Sequence, residues 1–327
     1  MAELRWNPIL KDWVMNVSSR QKRPNMPKDF CPFCPGSGKV PDNYEVLKYD
    51  NDFPALSANP PEPDDVANEL YKTAPLRGKC EVILYSPNHT QTLPELSAPH
   101  VRKLVDLWCE RFEEIAKDPE VKYILIFENR GELVGVTMPH PHGQIYGYPW
   151  IPKKLQVELD SSAEYYAETG KCLYCDMLSG ETADGRRIIF ENEHFITYLP
   201  YYAEFVYGVC IAAKNHVSCL SEFSDEMKTS LANAVRDTAA TLDALFDKPM
   251  PYMMAMHQSP VNGDDRSKDY HFHIEFYPPL RSETQIQWRA SSETAAWACC
   301  NPTCPEEKAQ ELREAYTRML SARKEDK

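Results

Sequence analysis

The segment VGVTMPHPHGQIYGYPW, residues 134–150, sets two histidines two positions apart between proline and glycine residues. Side chains two apart in an extended strand point to the same face, so we expect His140 and His142 to lie side by side, followed by Gln144. Such a pair can provide two metal ligands, two catalytic groups, or one of each. The remainder of the chain decides between these possibilities and also indicates the fold.

The same pattern returns in the second part of the chain, where residues 271–275 read HFHIE. In both parts a Cys-x-x-Cys pair comes first, followed by a short apolar strand ending in Asn-His, an amphipathic helix, and finally the histidine pair. The helices are predicted at 99–117 and 225–247, with Ser97 and Ser224 near their starts. Four elements repeated in one order indicate an internal duplication.

Each half also contains two thiols and two imidazoles, which are ligands that zinc favours in tetrahedral sites. The first predicted ligand set is Cys31, Cys34, His89 and His140, and the second is Cys172, Cys175, His216 and His271. The ligands are much farther apart in sequence than those of a zinc finger, so a metal would tie distant strands together. Buried reduced thiols or a redox pair are the alternatives, but no thioredoxin-like context surrounds either pair. A further group has no histidine to pair with, and it consists of Cys299, Cys300 and Cys304.

If His140 binds metal, His142 is available for chemistry. A neutral imidazole attacks phosphorus well and gives a phosphoramidate that is easily transferred. Backbone amides and a threonine hydroxyl nearby can bind phosphate oxygens. Gln144 can donate an amide hydrogen bond to the same phosphate without supplying a proton, which favours transfer to a phosphorylated acceptor over hydrolysis. The alternative is a rigid turn with a hydrogen-bonded histidine pair.

Composition narrows the class of protein. The 327 residues are 43% hydrophobic and 26% charged, with a formal net charge of −13. This is typical of a soluble globular protein and argues against a general binder of nucleic acid or anionic membranes, which needs a basic surface. We see no secretory signal and no apolar run long enough to span a membrane. The eleven cysteines therefore indicate thiols and metal ligands in a cytoplasmic protein.

Several longer motifs carry a resemblance that covers nearly the whole chain. They are SSRQKRP (18–24), CPFC (31–34), DNDFPAL (50–56), SPNHTQTLPEL (86–96), FENRGELVG (127–135), HPHGQ (140–144) and FYPPLRS (276–282). With these motifs the sequence resembles the galactose-1-phosphate uridylyltransferase family, the transferase branch of the histidine-triad superfamily. The resemblance implies an α+β fold of two tandem histidine-triad-like repeats, with a mainly antiparallel sheet and flanking helices. We place the two domains at 1–155 and 156–327.

The resemblance also implies a double-displacement reaction through a uridylyl-histidine at His142. UDP-glucose would donate UMP, glucose 1-phosphate would leave, and galactose 1-phosphate would take the UMP to give UDP-galactose. The family implies a homodimer in which the segment after FYPPLRS reaches the sugar in the neighbouring subunit. The substrate-binding residues carried over by motif are Arg20, Arg23, Asn51, Asp52, Phe53, Asn129, Gly135, Thr137, Gln144 and Glu293.

The chain departs from the family at three places. Thr137 stands where serine is usual, and residues 284–297 replace a sugar-binding stretch that commonly contains lysine, phenylalanine and tyrosine. Many members hold a second metal with one glutamate and three histidines, whereas this chain has Glu275 in place of one of those histidines. The internal repeat favours the Cys-His set instead, and His257 is a ligand only in the alternative arrangement.

Two other functions are compatible with the motifs. One is a nucleotidyl phosphorylase acting on an ADP-sugar or a dinucleoside polyphosphate, which also uses a histidine nucleophile followed by glutamine. The other is a zinc-stabilised nucleotide-binding protein without activity. The NDF segment at 51–53 favours the uridylyltransferase over the phosphorylase, and the intact His142 and Gln144 argue against the inactive protein.

Overall fold

The structure is a computed structural model that describes residues 2–22 and 30–325. The strands are β1 (Ala2–Asn7), β2 (Asp12–Val17), β3 (Leu47–Asp50), β4 (Thr73–Pro75), β5 (Lys79–Leu84), β6 (Tyr123–Arg130), β7 (His142–Tyr148), β8 (Ile188–Glu191), β9 (Phe195–Tyr198), β10 (Cys210–Ala213), β11 (Tyr252–His257) and β12 (His273–Tyr277). The helices are α1 (Ala98–Ala116), α2 (Lys153–Thr169), α3 (Leu173–Asp184), α4 (Asp225–Phe246), α5 (Ser291–Ala296) and α6 (Pro305–Glu325).

Nine of the strands form one continuous sheet in the order β3-β5-β7-β6-β11-β12-β10-β9-β8, and neighbouring strands are antiparallel. Outward from the central β6–β11 pair, the order β6, β7, β5, β3 mirrors the order β11, β12, β10, β9. The predicted α+β fold of two tandem repeats with a mainly antiparallel sheet is therefore confirmed. The division near residue 155 stays a prediction, since strands from both halves share this sheet.

Helices α1 and α4 cover one face of the large sheet. Both predicted helices exist within a residue of their expected ends, and their first turns are capped by the hydroxyls of Ser97 and Ser224. Apolar side chains at helical spacing, such as Leu104 and Trp108, are fully buried against strand residues such as Ile145. Each such side chain contributes roughly 1.5–3 kcal/mol to the free energy of folding. The helices thus occupy one face and leave the other for a site.

A smaller sheet of order β2-β1-β4 lies against part of that second face. Leu4 of β1 shares a buried cluster with Tyr146 and Tyr148, which are at the end of β7. The start of β7, with His142 and Gln144, is only partly buried. Since a short 3-10 helix (Ser18–Lys22) follows β2 directly, the small sheet also brings the segment containing Arg20 to this end of the sheet. No helix in the described ranges 2–22 and 30–325 has the length and apolar character to cross a bilayer.

Glycine in HPHGQ is explained by packing beneath β7. A Cβ atom on Gly143 would lie 2.5 Å from the hydroxyl of Tyr85, and one on Gly147 would lie 2.9 Å from the side chain of Ile115. Both glycines point towards the helices, while His142 and Gln144 alternate to the opposite face. The motif therefore combines a reactive face with a back face that has no room for a side chain.

Candidate active site and metal centres

The first predicted metal set comes together from three parts of the chain. The sulfur of Cys34 lies 3.4 Å from Nδ1 of His89 and 3.7 Å from Nδ1 of His140, and the sulfur of Cys31 lies 3.6 Å from Nδ1 of His140. All four ligand atoms lie within 4.8 Å of one another. Zinc bonds of ordinary length at tetrahedral angles would separate sulfur from nitrogen by about 3.6 Å. The donors therefore fit a tetrahedral zinc ion.

His140 is held in the form that a metal requires. Its ring is fully buried, and Nε2 donates to the carbonyl of Ser86 at 2.8 Å, which leaves the lone pair on Nδ1 facing the sulfurs. Burial lowers the pKa of His140 to about 4, so the ring is neutral at physiological pH. The hydroxyl of Tyr44, which donates to the carbonyl of Phe33 at 2.8 Å, closes the cluster from outside.

The second predicted set has the same construction. The sulfur of Cys175 lies 3.4 Å from Nδ1 of both His216 and His271, and Cys172 completes a group whose ligand atoms lie within 4.8 Å. The outer ring nitrogens are again fixed by backbone carbonyls, with Nε2 of His216 donating to Ser267 at 2.8 Å. Second contacts of this kind orient the histidine ligands of metal sites.

The thiols of both groups are too close to ionise together without a cation. Burial and the neighbouring Cys31 raise the pKa of Cys34 to about 11. In the other group, hydrogen bonding between the two thiols lowers the pKa of Cys172 and raises that of Cys175. Because zinc binds thiolates, a bound cation would remove this conflict in both places. Both groups can therefore hold a metal ion.

His142 begins β7, directly after the first cluster. Its Nδ1 donates to the carbonyl of His140 at 2.8 Å, so the neutral ring carries its lone pair on Nε2. The ring of Phe33 packs edge-on against both imidazoles, with centroids 5.9 Å away in each case. His140 therefore has two roles: its ring can bind a metal ion, and its backbone carbonyl orients the ring of His142.

Gln144 is part of a chain of hydrogen bonds on the same face. The hydroxyl of Tyr146 donates to Oε1 of Gln144 at 3.3 Å, and the guanidinium of Arg20 donates to that hydroxyl at 3.4 Å. With its oxygen so engaged, the amide presents its N–H groups for an anion. Arg20 adds a positive charge nearby, which also favours a phosphate.

The structure brings several other predicted residues to the same region. Asn129 follows Glu128, whose pairing partner is Gly143, and therefore lies beside His142 on the neighbouring strand. Asn51, Asp52 and Phe53 follow directly after the end of β3. There the carboxylate of Asp52 accepts from Tyr49 at 3.0 Å, and the side-chain oxygen of Asn51 accepts from the Phe53 amide at 2.9 Å. The exposed ring of Phe53 is available for a ligand.

Four of the predicted residues lie elsewhere or outside the described residues. Gly135 and Thr137 are exposed on the loop between β6 and β7. Glu293 is on α5, where its carboxylate accepts from the Ala290 amide at 3.1 Å, and it lines a cavity of about 640 Å³ together with residues such as Lys154 and Tyr277. Arg23 lies outside the described residues.

The second half reproduces the arrangement around His142. Nδ1 of His273 donates to the carbonyl of His271 at 3.0 Å, and the hydroxyl of Tyr277 donates to the carboxylate of Glu275. Burial lowers the pKa of His273 to about 4. Lys154 also contacts Glu275, as a nearby cation. Both halves therefore share one geometry, with an amide in the first and a carboxylate in the second.

Two features of these sites were missed in the sequence. The tyrosines at 146 and 277 both come four residues after the second histidine of each pair, so comparison of the repeats would have found them. The group of Glu158, His257 and His273 has ligand atoms within 4.8 Å of one another. Glu158 is on α2, far in sequence from His257 and His273, and only the fold brings it to them.

Solved structures similar to this one include a uridylyltransferase and a phosphorylase. A structure described as uridylyltransferase superposes with a TM-score of 0.89 at 32% identity and covers 97% of this chain and 99% of its own. An ADP-glucose phosphorylase from Arabidopsis thaliana, with bound ADP-glucose, superposes with a TM-score of 0.74 at 25% identity, covering 96% of this chain and 99% of that one. The fold and site thus define an enzyme of the uridylyltransferase class.

Sequence comparison gives the family. Residues 1–152 match the N-terminal domain and residues 158–289 the C-terminal domain of the family model for galactose-1-phosphate uridyl transferase. The galactose-1-phosphate uridylyltransferase of Thermotoga maritima is 42% identical over 315 residues, which cover 96% of this chain and 98% of that protein. The chain belongs to the galactose-1-phosphate uridylyltransferase family, as its motifs predicted.

Proposed function

We propose that this enzyme transfers UMP from UDP-glucose to galactose 1-phosphate through a covalent intermediate on His142. Nε2 of His142 attacks the α-phosphorus, a nitrogen–phosphorus bond forms, and the bond to glucose 1-phosphate breaks. A phosphate oxygen of galactose 1-phosphate then attacks the same phosphorus and releases the histidine. The acceptor phosphate is already ionised, so no strong base is needed.

The orientation of His142 is the observation that carries this proposal. Its Nδ1–H is committed to the His140 carbonyl, so Nε2 is the nucleophilic nitrogen of the neutral ring. Gln144 and Arg20 supply hydrogen bonds and charge for the phosphate in transit. We propose that the remaining substrate contacts come from Arg23, Asn51, Asp52, Phe53, Asn129, Gly135 and Thr137, and from Glu293 of a partner subunit in a homodimer.

Covalent labelling tests the intermediate. We expect incubation with UDP-glucose radiolabelled in the uridylyl group to leave UMP on the protein in a form that is labile to acid and stable to base. The label should be absent from His142→Ala and present in His273→Ala, which is the matched control. Labelling that survives His142→Ala would reject the mechanism.

We propose one zinc ion in each Cys-His group, with the residues of each as its ligands. Zinc would tie the loop at 31–34 and the segment after β5, which contains His89, to the start of β7, which fixes the strand that carries His142. Metal analysis should find close to two zinc ions per chain. Cys34→Ser and Cys175→Ser should each lower the zinc content by one ion per chain. An unchanged zinc content in either variant would reject the Cys-His site to which that cysteine belongs.

The nature of the acceptor separates the two enzymatic possibilities. The likeness to an ADP-glucose phosphorylase makes phosphorolysis a specific alternative. We expect the labelled enzyme to be discharged faster by galactose 1-phosphate than by inorganic phosphate. The opposite order, or labelling by an ADP-sugar and not by UDP-glucose, would favour the phosphorylase. We also propose that the enzyme works in the cytoplasm, where its eleven cysteines, none of which forms a disulfide, stay reduced.

A further inference from the structure

The second half contains a group of potential metal ligands that neither Cys-His site uses. Glu158 of α2, His257 of β11 and His273 of β12 have ligand atoms within 4.8 Å of one another. Glu158 and His273 line a cavity of about 240 Å³, and His257 adjoins it. One carboxylate and two imidazoles are donors that several divalent ions accept. This group, with Glu275 beside it, is the place where a further metal would be expected.

A positive charge is already present at this group. The ammonium of Lys154 lies 2.7 Å from Oε2 of Glu275 and 3.9 Å from Oε1 of Glu158, and it donates to the hydroxyl of Tyr277 at 3.0 Å. It therefore bridges the two carboxylates that a metal ion would need. A divalent ion placed between the same carboxylates would be repelled by the ammonium at short range.

The other donors are also engaged within the protein. Oε2 of Glu158 accepts from Nδ1 of His257 at 2.9 Å and from the hydroxyl of Tyr270 at 2.8 Å. Nε2 of His257 lies 3.7 Å from Oε2 of Glu275. His257 thus sits between two carboxylates, as a positively charged partner would. The donors and acceptors of this group are therefore paired with one another without an added ion.

We propose that the side chain of Lys154 takes the place of a metal ion in this group, so that among the described residues metal is held at the two Cys-His sites and not here. The residues do not fit the arrangement of one glutamate and three histidines, because the place of the third histidine is taken by Glu275, which pairs with the lysine. Glu275 thus stands where a histidine ligand would be, and the ammonium of Lys154 stands where the metal ion would be.

Removal of the lysine should therefore create a metal site. We expect purified wild-type enzyme, incubated with Mn²⁺ and then desalted, to retain zinc and no manganese, since manganese prefers oxygen and nitrogen ligands and does not displace zinc from thiolates. Lys154→Met should retain about one manganese ion per chain. Lys153→Met is the matched control, one residue away on the same helix, and should retain none. Lys154→Arg keeps the positive charge and should also retain none.

The double variant Lys154→Met/His257→Ala locates the gained ion and should lose it. An unchanged zinc content in each sample reports that the variant is folded. A third metal in the wild type that disappears in His257→Ala would overturn the proposal, and so would a folded Lys154→Met protein that retains no manganese. UMP labelling of the same samples reports on His142 separately, so failure of the transfer mechanism would leave this result intact.

Discussion

The two histidine pairs of this enzyme have the same backbone geometry and opposite electrostatic surroundings. In both, the second imidazole donates to the carbonyl of the first, His142 to His140 at 2.8 Å and His273 to His271 at 3.0 Å. In both, a tyrosine four residues after the second histidine donates a hydrogen bond to the side chain two residues after that histidine. That side chain is an amide in the first half and the carboxylate of Glu275 in the second.

This difference supports our proposal that the first half contains the reactive site and the second half does not. A neutral amide with a guanidinium nearby leaves a place for an incoming anion. Two carboxylates beside a single ammonium keep a net negative charge and repel a phosphate. The strand geometry is present twice, and under our proposal the charge of a few side chains decides which copy binds phosphate.

The largest expected effect comes from removing each second histidine. We expect His142→Ala to lower kcat/KM for uridylyl transfer by at least about 10⁴-fold, as loss of a nucleophile usually does. The equivalent change, His273→Ala, should leave kcat/KM within a few-fold of wild type. Steady-state assay of both variants with UDP-glucose and galactose 1-phosphate checks this. A comparable loss in both would mean that the second half takes part in the chemistry.

Exchanging the intermediate side chains is the next test. Gln144→Glu removes an amide donor and adds a negative charge where the phosphate is expected, so kcat should fall by about 10²- to 10³-fold. Glu275→Gln makes the second half resemble the first and should leave kcat nearly unchanged. Single-turnover labelling separates the chemical step from binding. If Gln144→Glu kept a wild-type rate of labelling, Gln144 would not contact the phosphate.

A pH effect on stability is expected where the two halves meet. Glu128 on β6 is buried and accepts from the hydroxyls of Tyr85 and Tyr252, one from each half, at 3.3 Å. Burial raises the pKa of Glu128 to about 7. The folded protein therefore favours the protonated acid. The contribution of Glu128 to the free energy of unfolding is complete below the unfolded pKa and is lost as the pH rises through about 7.

Glu128→Gln should remove that dependence. The wild type should lose on the order of 2 kcal/mol more of its free energy of unfolding than the variant does when the pH is raised from 5 to 8. Urea unfolding at both pH values measures the change, and Glu132→Gln, on the exposed loop after β6, is the control. Parallel pH dependence in the Glu128→Gln variant and wild type would show that this acid is not responsible.

Much of the fold could be predicted because its signals are local. The cap at Ser97, the apolar spacing through Trp108 and the order of elements in each half gave the helices and the repeat, and Cys-x-x-Cys spacing gave the ligand groups. The contact of Lys154 with Glu275 could not be predicted, since it joins a helix to a strand 121 residues away. The position of Glu293 on its own short helix likewise depends on tertiary packing.

The smallest expected effect concerns the tyrosines that the two halves share. Tyr146→Phe keeps the ring, whose centroid lies 5.0 Å from that of Phe127, and removes the hydroxyl that donates to Gln144 and accepts from Arg20. A hydrogen bond of net value 0.5–1.5 kcal/mol corresponds to a loss in kcat of roughly two- to tenfold. The fall should appear in the rate of covalent labelling, because the amide then spends part of its time turned away from the phosphate.

Tyr277→Phe makes the equivalent change and should leave that rate unaltered, although it removes a contact of Glu275. An equal loss in both variants would mean that the two tyrosines act through the shared sheet, whereas a loss confined to Tyr146→Phe would locate the difference between the halves in how each middle side chain is held.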